Sequence, residues 1–193
     1  MTITADTRAP DLRWLRSYYY LRFAVAAVWV ALAFTIAGTS PALAAAMLVA
    51  YPAWDALANY LDAARSGGLA RNKSQMLNFA VSAVTAVAVA VTLPHGPHAV
   101  LQVFGVWAVL SGLFQLATGV RRWKAYGAQW AMILSGAQSG LAGAHMLSKA
   151  AGPAAVGIAD IAPYAAFGAF YFLVSAVSLT VSAARRRAKV AAA

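Results

Sequence analysis

The sequence predicts an all-α fold, a polytopic bundle of six transmembrane helices. Of the 193 residues, 62% are hydrophobic and 10% are charged, whereas soluble globular domains carry about 25% charged residues. Six apolar stretches also reach the roughly twenty residues that a helix needs to cross a hydrocarbon core of about 30 Å. These stretches are residues 18–38, 41–62, 75–93, 98–120, 127–149 and 161–183. A membrane protein is therefore expected.

Short loops rich in glycine and proline separate the six stretches and predict tight turns between them. The loops cover residues 38–40, 63–74, 94–97, 121–126 and 150–160. The sequence accordingly divides into a cytoplasmic amino-terminal segment (1–17), a six-span transmembrane domain (18–183) and a basic cytoplasmic tail (184–193). No soluble domain fits between the spans.

The first apolar stretch also admits a rival interpretation as a signal peptide. Four arginines precede or begin it, and "PALAAAM" just after it offers small residues at the spacing of a signal-peptidase site. A signal peptide usually has an apolar core of only about 7–15 residues, and this stretch is longer. A transmembrane helix is therefore the better interpretation.

The lysines and arginines predict the orientation of the spans. Of the 15 basic residues, all but Lys149 and Arg22 fall in the amino-terminal segment, the 63–74 loop, the 121–126 loop and the tail, and Arg22 lies near the start of the first span. Because basic loops stay in the cytoplasm, both termini are predicted to be cytoplasmic. Aromatic residues that would form an interfacial belt cluster near the same ends: Trp14, Tyr18, Tyr19, Trp123, Tyr126 and Trp130.

Composition and motifs exclude several classes of function. The net charge of +10 comes in short clusters separated by apolar runs, so no continuous surface for nucleic acid forms. The chain has no cysteine, and it shows neither a catalytic motif nor a phosphate loop. We therefore expect no enzymatic activity, no catalytic residue, no cofactor and no metal. The expected partners are the lipid bilayer and the anionic lipid headgroups at the basic ends.

Small residues recur along the later spans and predict close helix packing. Gly105, Gly112 and Gly119 are seven residues apart, and Gly136 and Gly140 form a Gly-x-x-x-Gly motif. An offset of 63 residues aligns the fourth span with the sixth, and an offset of 56 aligns the second with the fourth. The even spans thus resemble three copies of one helix in three hairpin repeats. Chance alignment of alanine-rich spans is the alternative, and the glycine motif also leaves a homo-oligomer open.

Two phrases carry a family resemblance: "FGVWAVLSGLFQLATGVRRW" and the following "WAMILSGAQSGLAGAHML". They resemble the short repeat of a bacterial membrane-protein family of unknown function, the HdeD family, over about residues 20 to 187. The resemblance implies a six-span protein of the bacterial inner membrane with a role in envelope or acid stress. The chain departs from the pattern at "YPAWDALANYLDAARSGG", where Ala56 occupies the position of Gly112.

That same phrase places polar side chains on one stripe of the second span. Asp55, Asn59 and Asp62 follow Tyr51 at helical spacing. On the predicted topology their neighbours at equal depth include Arg22, Asn78 and Gln115. One interpretation is a structural lock in which Asp55 pairs with Arg22. The other is an ion, proton or small-solute site, because a charged group inside a membrane is costly and commonly marks function.

Three histidines are predicted on the outer side: His95, His98 and His145. Imidazoles change charge at mildly acidic pH and could sense the acidity outside the cell. Ordinary loop histidines are the alternative interpretation.

The expected function is therefore that of a non-enzymatic, HdeD-like inner-membrane protein with an accessory role in envelope or acid stress. The alternative is a transporter or channel for a small solute, an ion or protons, with its site around Asp55. A fold alone does not choose between them.

Overall fold

The computed structural model describes residues 8–35, 37–122 and 129–191, and these residues form six α-helices and no strand. The helices are α1 (Arg8–Thr35), α2 (Pro41–Arg65), α3 (Lys73–Thr92), α4 (Pro97–Arg122), α5 (Gln129–Ala151) and α6 (Ala162–Ala191). Three short 3-10 turns lie in the connections, at Ala37–Thr39, Leu93–His95 and Ile158–Asp160. The predicted all-α class is confirmed.

Five helices of the described part are long and apolar enough to cross a membrane, so the chain is a multi-pass membrane protein. The five spans are Leu12–Thr35, Pro41–Arg65, Lys73–His95, Pro97–Ala117 and Ala162–Val190. The 23-residue α5 is not among them, because its described part mixes serine, glutamine, histidine and lysine with its small residues.

Local chemistry explains where α2 begins and ends. Ser40 caps α2 by accepting a hydrogen bond from the backbone N–H of Leu43 at 3.4 Å, and Pro41 occupies the first helical position. At the other end the backbone N–H of Gly68 donates to the carbonyl of Ala63 at 2.7 Å. Gly67 and Gly68 have φ angles of 95° and 89°, which favour glycine.

Two helices extend by several residues beyond the predicted spans, more than the others do. α1 begins at Arg8, ahead of the expected 18–38 span, and α6 continues to Ala191 through most of the 184–193 tail. Hydropathy marks where a chain meets lipid, whereas arginine, lysine and alanine continue a helix readily in water. Pro52 lies inside α2, and the helix continues past it.

The chain divides into two compact units, residues 1–30 with 165–193 and residues 31–164. In the first unit α1 packs on α6: the rings of Tyr19 and Phe172 stack at 6.3 Å, and Tyr20 hydrogen-bonds with Thr180 at 3.2 Å. In the second unit the most extensive packing joins α4 to α5 and then α2 to α3.

Candidate functional site

The candidate site is centred on Asp55 in α2, within the second unit. Asp55 lies ten residues before Arg65, the last residue of α2, which corresponds to about 15 Å along the helix axis. With Arg65 at the membrane surface, this distance would place the carboxyl group near mid-depth of a hydrocarbon core of about 30 Å. A charged group at this depth needs polar partners.

Asn59 supplies the first partner from the next turn of α2. Its side-chain Nδ2 donates to Oδ2 of Asp55 at 3.1 Å and to the backbone carbonyl of Asp55 at 2.8 Å. Asn59 is only 7% exposed. The i, i+4 spacing makes this contact possible without any other helix.

Ser82 on α3 supplies the second partner, and Trp107 on α4 determines which way the hydroxyl group of Ser82 points. Oγ of Ser82 donates to Oδ2 of Asp55 at 2.7 Å, and Nε1 of Trp107 donates to Oγ of Ser82 at 3.2 Å. An indole N–H can only donate, so the serine oxygen accepts from it and the serine proton points to the carboxylate. We call Asp55, Asn59, Ser82 and Trp107 the Asp55 cluster.

Hydrogen bonding can offset the cost of placing this charge in the membrane. An Asp at the centre of a transmembrane helix costs about 2.5–3.5 kcal/mol on insertion scales. Hydrogen bonds to charged groups contribute about 1.5–3 kcal/mol each, and Oδ2 of Asp55 accepts two from side chains. The two contributions together are of the size of the penalty.

Aromatic rings hold the indole of Trp107 in place. Tyr51, Phe104 and Tyr164 each meet it edge to face, with ring centroids 5.8–5.9 Å apart and interplanar angles of 71–81°. This arrangement is the favoured geometry for aromatic pairs. Trp107 is 4% exposed, so its N–H stays aimed at Ser82.

Three of the predicted site residues, on α2, α3 and α4, take no part in the hydrogen bonds of the Asp55 cluster. Asp62 accepts a hydrogen bond from Gln75 at 3.1 Å, and Gln115 accepts one from Ser135 at 3.2 Å. Asn78 makes no side-chain hydrogen bond with the described residues.

Arg22 belongs to the first unit. Its guanidinium donates to the hydroxyl of Tyr18 at 3.2 Å and lies over the ring of Phe172, 4.1 Å from the centroid. Cation–π contact of this kind stabilises a guanidinium inside an apolar region. Its pairing with Asp55 stays a prediction.

Glycines bring the backbones of α4 and α5 together. A Cβ on Gly112 would lie 2.5 Å from the carbonyl oxygen of Gly136, and one on Gly143 would lie 2.6 Å from that of Gly105. From Gly105 to Gly112 the chain advances seven residues along α4, while the partner on α5 moves back seven residues, from Gly143 to Gly136. This opposite progression is what antiparallel helices require. Gly119 is buried, and a Cβ on Gly140 would meet nothing within 4 Å.

The three histidines and one ion pair lie in or near the α3–α4 and α5–α6 connections. Nε2 of His98 lies 3.1 Å from the carbonyl oxygen of Ala154, while His95 and His145 are exposed. Among the described residues no group of three or more metal-binding side chains converges. Lys149 and Asp160 form an ion pair, and Oδ2 of Asp160 also accepts the backbone N–H of Gly157 at 2.7 Å.

The sequence analysis missed Ser82 and Trp107. A tryptophan in the middle of a span was the available signal, because indoles prefer the membrane interfaces and a central one needs a partner for its N–H. Ser82 was a second signal, as a hydroxyl among the valines and alanines of α3.

Comparison with known proteins found no match among family models, curated proteins or solved structures. The resemblance to the HdeD family rests on the sequence phrases alone.

Proposed function

We propose that this chain is a non-enzymatic membrane protein that conducts protons or a small solute, with the Asp55 cluster as the site of passage. A single observation supports the proposal: the carboxyl group of Asp55, within the apolar span of α2, accepts hydrogen bonds from its own helix and from α3. Trp107 on α4 joins this network through its hydrogen bond to Ser82. Ionisable groups at such depth commonly lie on ion or proton paths.

We further propose that α5 also crosses the membrane, which gives six spans with both termini in the cytoplasm of a bacterial cell. The length of α5, its antiparallel contact with α4 and the distribution of lysine and arginine support this topology. The alignments of the fourth span with the sixth and of the second with the fourth support three related hairpins.

A proteoliposome assay tests the conduction proposal. Purified protein is reconstituted with a pH-sensitive dye inside the vesicles, and a pH gradient is imposed with potassium and valinomycin to clamp the voltage. Wild type should dissipate the gradient faster than vesicles without protein. Asp55→Asn should fall to the rate of the empty vesicles, because the amide keeps the acceptor for Ser82 but cannot bind and release a proton.

Asp62→Asn is the matched control, since it removes the same charge two turns away on the same helix. It should conduct like wild type. Equal rates for wild type and empty vesicles, or equal losses in the two variants, would reject the assignment to Asp55.

The resemblance to the HdeD family supports a second candidate, an accessory role in acid or envelope stress. Survival of a deletion strain after acid challenge tests this role directly. Complementation by wild type and equally by Asp55→Asn would support an accessory role that does not need conduction.

A further inference from the structure

A cleft of about 500 Å³ opens between α3 and α4 beside the Asp55 cluster. Its volume is within the range of small-molecule sites, about 300–1,000 Å³. Val84 and Val106 flank it and are 69% and 49% exposed, so its mouth opens at the membrane-facing surface of these helices. We call it the α3–α4 cleft.

The lining of the α3–α4 cleft is mostly apolar. Alanines and valines from both helices form most of the wall, and Trp107 closes it next to Ser82. None of the described lining residues is charged. A charged headgroup would find no ion-pair partner inside the cleft, and burying it there would be costly.

Gln102 carries the only amide side chain among the described residues that line the cleft. It lies five residues after Pro97, the first residue of α4, and therefore about 8 Å along the helix from its outer end. Its side chain lines the cleft and forms no hydrogen bond with the described residues. Thr85 and Thr92 also line the cleft, but both bond to carbonyls of their own helix. An amide at this depth favours an occupant that brings a hydrogen-bonding group.

We propose that the α3–α4 cleft binds an uncharged single-chain amphiphile, such as a long-chain alcohol. Its chain lies along the valines and alanines, and its hydroxyl hydrogen-bonds with Gln102. This inference goes beyond the proposed conduction function, because binding does not require Asp55. The occupant would touch Trp107, whose N–H orients the hydroxyl of Ser82 towards Asp55. The occupant would therefore contact one member of the Asp55 cluster.

Photolabelling of the full chain in phosphatidylcholine nanodiscs tests the proposal. The probe is a twelve-carbon alcohol with a diazirine in its chain, and mass spectrometry maps the adducts. Adducts should concentrate on α3 and α4 at the cleft, and unlabelled dodecan-1-ol should compete better than dodecane at equal mole fraction in the membrane. Adducts spread over all helices in proportion to exposure, or equal competition by the alkane, would mean that ordinary lipid fills the cleft and would overturn the proposal.

Paired variants locate the site. Ala88 lines the cleft, whereas Ala90 is exposed on the same helix outside the lining. Ala88→Leu should reduce the adduct yield at the cleft about fivefold or more by filling it, and Ala90→Leu should leave the yield unchanged. Equal yields in these two variants would contradict the assignment.

A second variant keeps the test decisive if Ala88→Leu does not fold. In Gln102→Leu, the factor by which dodecan-1-ol competes better than dodecane should fall about fivefold, which is the size expected for the loss of one hydrogen bond. An unchanged advantage would overturn the role of Gln102. Asp55→Asn should label like wild type, so a failure of the conduction proposal is distinguishable from a failure of this one.

Discussion

Substitution of Gly143 in α5 gives a sharp test of the contact between α4 and α5. A Cβ at this position would lie 2.6 Å from the carbonyl oxygen of Gly105 and 2.7 Å from the backbone N of Val109. Ordinary contacts begin at 3.4 Å, so the shortfall against the carbonyl oxygen is 0.8 Å. Both neighbours are backbone atoms, which cannot rotate away, and the two helices would have to separate.

The expected cost of Gly143→Ala follows from this geometry. Overpacking of this kind lowers the stability of the fold by about 1–3 kcal/mol. Replacing a helical glycine by alanine stabilises the helix by about 0.5–1 kcal/mol. Gly140→Ala, three residues away on the same helix, gains the same helix propensity and meets nothing within 4 Å. The difference between the two variants therefore isolates the contact, and we expect Gly143→Ala to be about 1–3 kcal/mol less stable than Gly140→Ala.

The assay is unfolding by sodium dodecyl sulfate in mixed micelles, followed by the helical circular dichroism signal. Gly140→Ala should unfold at the same or a higher mole fraction of the denaturing detergent than wild type, and Gly143→Ala at a lower one. Free energies of unfolding that agree within about 0.5 kcal/mol would refute the close backbone approach, because surface-like substitutions differ by that much.

Three further predictions concern the cluster, the loop and the topology. Ser82→Ala should lower the free energy of unfolding by about 1–3 kcal/mol, since it strands the buried N–H of Trp107; Thr85→Ala on the same helix should cost less, and the reverse order in a detergent unfolding titration would contradict the hydrogen-bond chain. Asp160→Ala should loosen the α5–α6 connection by removing both the ion pair and the hydrogen bond to the backbone N–H of Gly157, detectable as faster amide hydrogen exchange there; unchanged exchange would argue against that hydrogen bond. Because the chain has no cysteine, a single cysteine at Ser66 should react with a membrane-impermeant maleimide only in inverted vesicles, and reaction in intact cells would reverse the proposed orientation.

The sequence by itself predicted much of the helical framework, because the rules involved are local. Apolar stretches of about twenty residues predict helices in a membrane, and Ser40, Pro41 and Gly68 act on the backbone beside them. The contact between Asp55 and Asn59 was also predictable, since residues four apart on a helix share a face. The helix ends were harder to predict, because hydropathy marks the lipid and not the end of the hydrogen-bonded backbone.

The tertiary structure decided which residues of α3 and α4 meet Asp55. Depth in the membrane indicated Asn78 and Gln115, whereas Ser82 and Trp107 form the contacts. Asn78 and Ser82 lie four residues apart, so about one helical turn separates the expected neighbour from the real one.

Depth fixes a position only along the membrane normal. The rotation and shift of each helix follow from its packing, and in this chain one such contact is the glycine interface of α4 with α5, where backbones meet at Gly105, Gly112, Gly136 and Gly143. The glycines were visible in the sequence, but their pairing was not. A sequence shows which helix faces carry small residues and can pack closely. Only the folded chain shows which of these faces touch, because that depends on the packing of all the helices together.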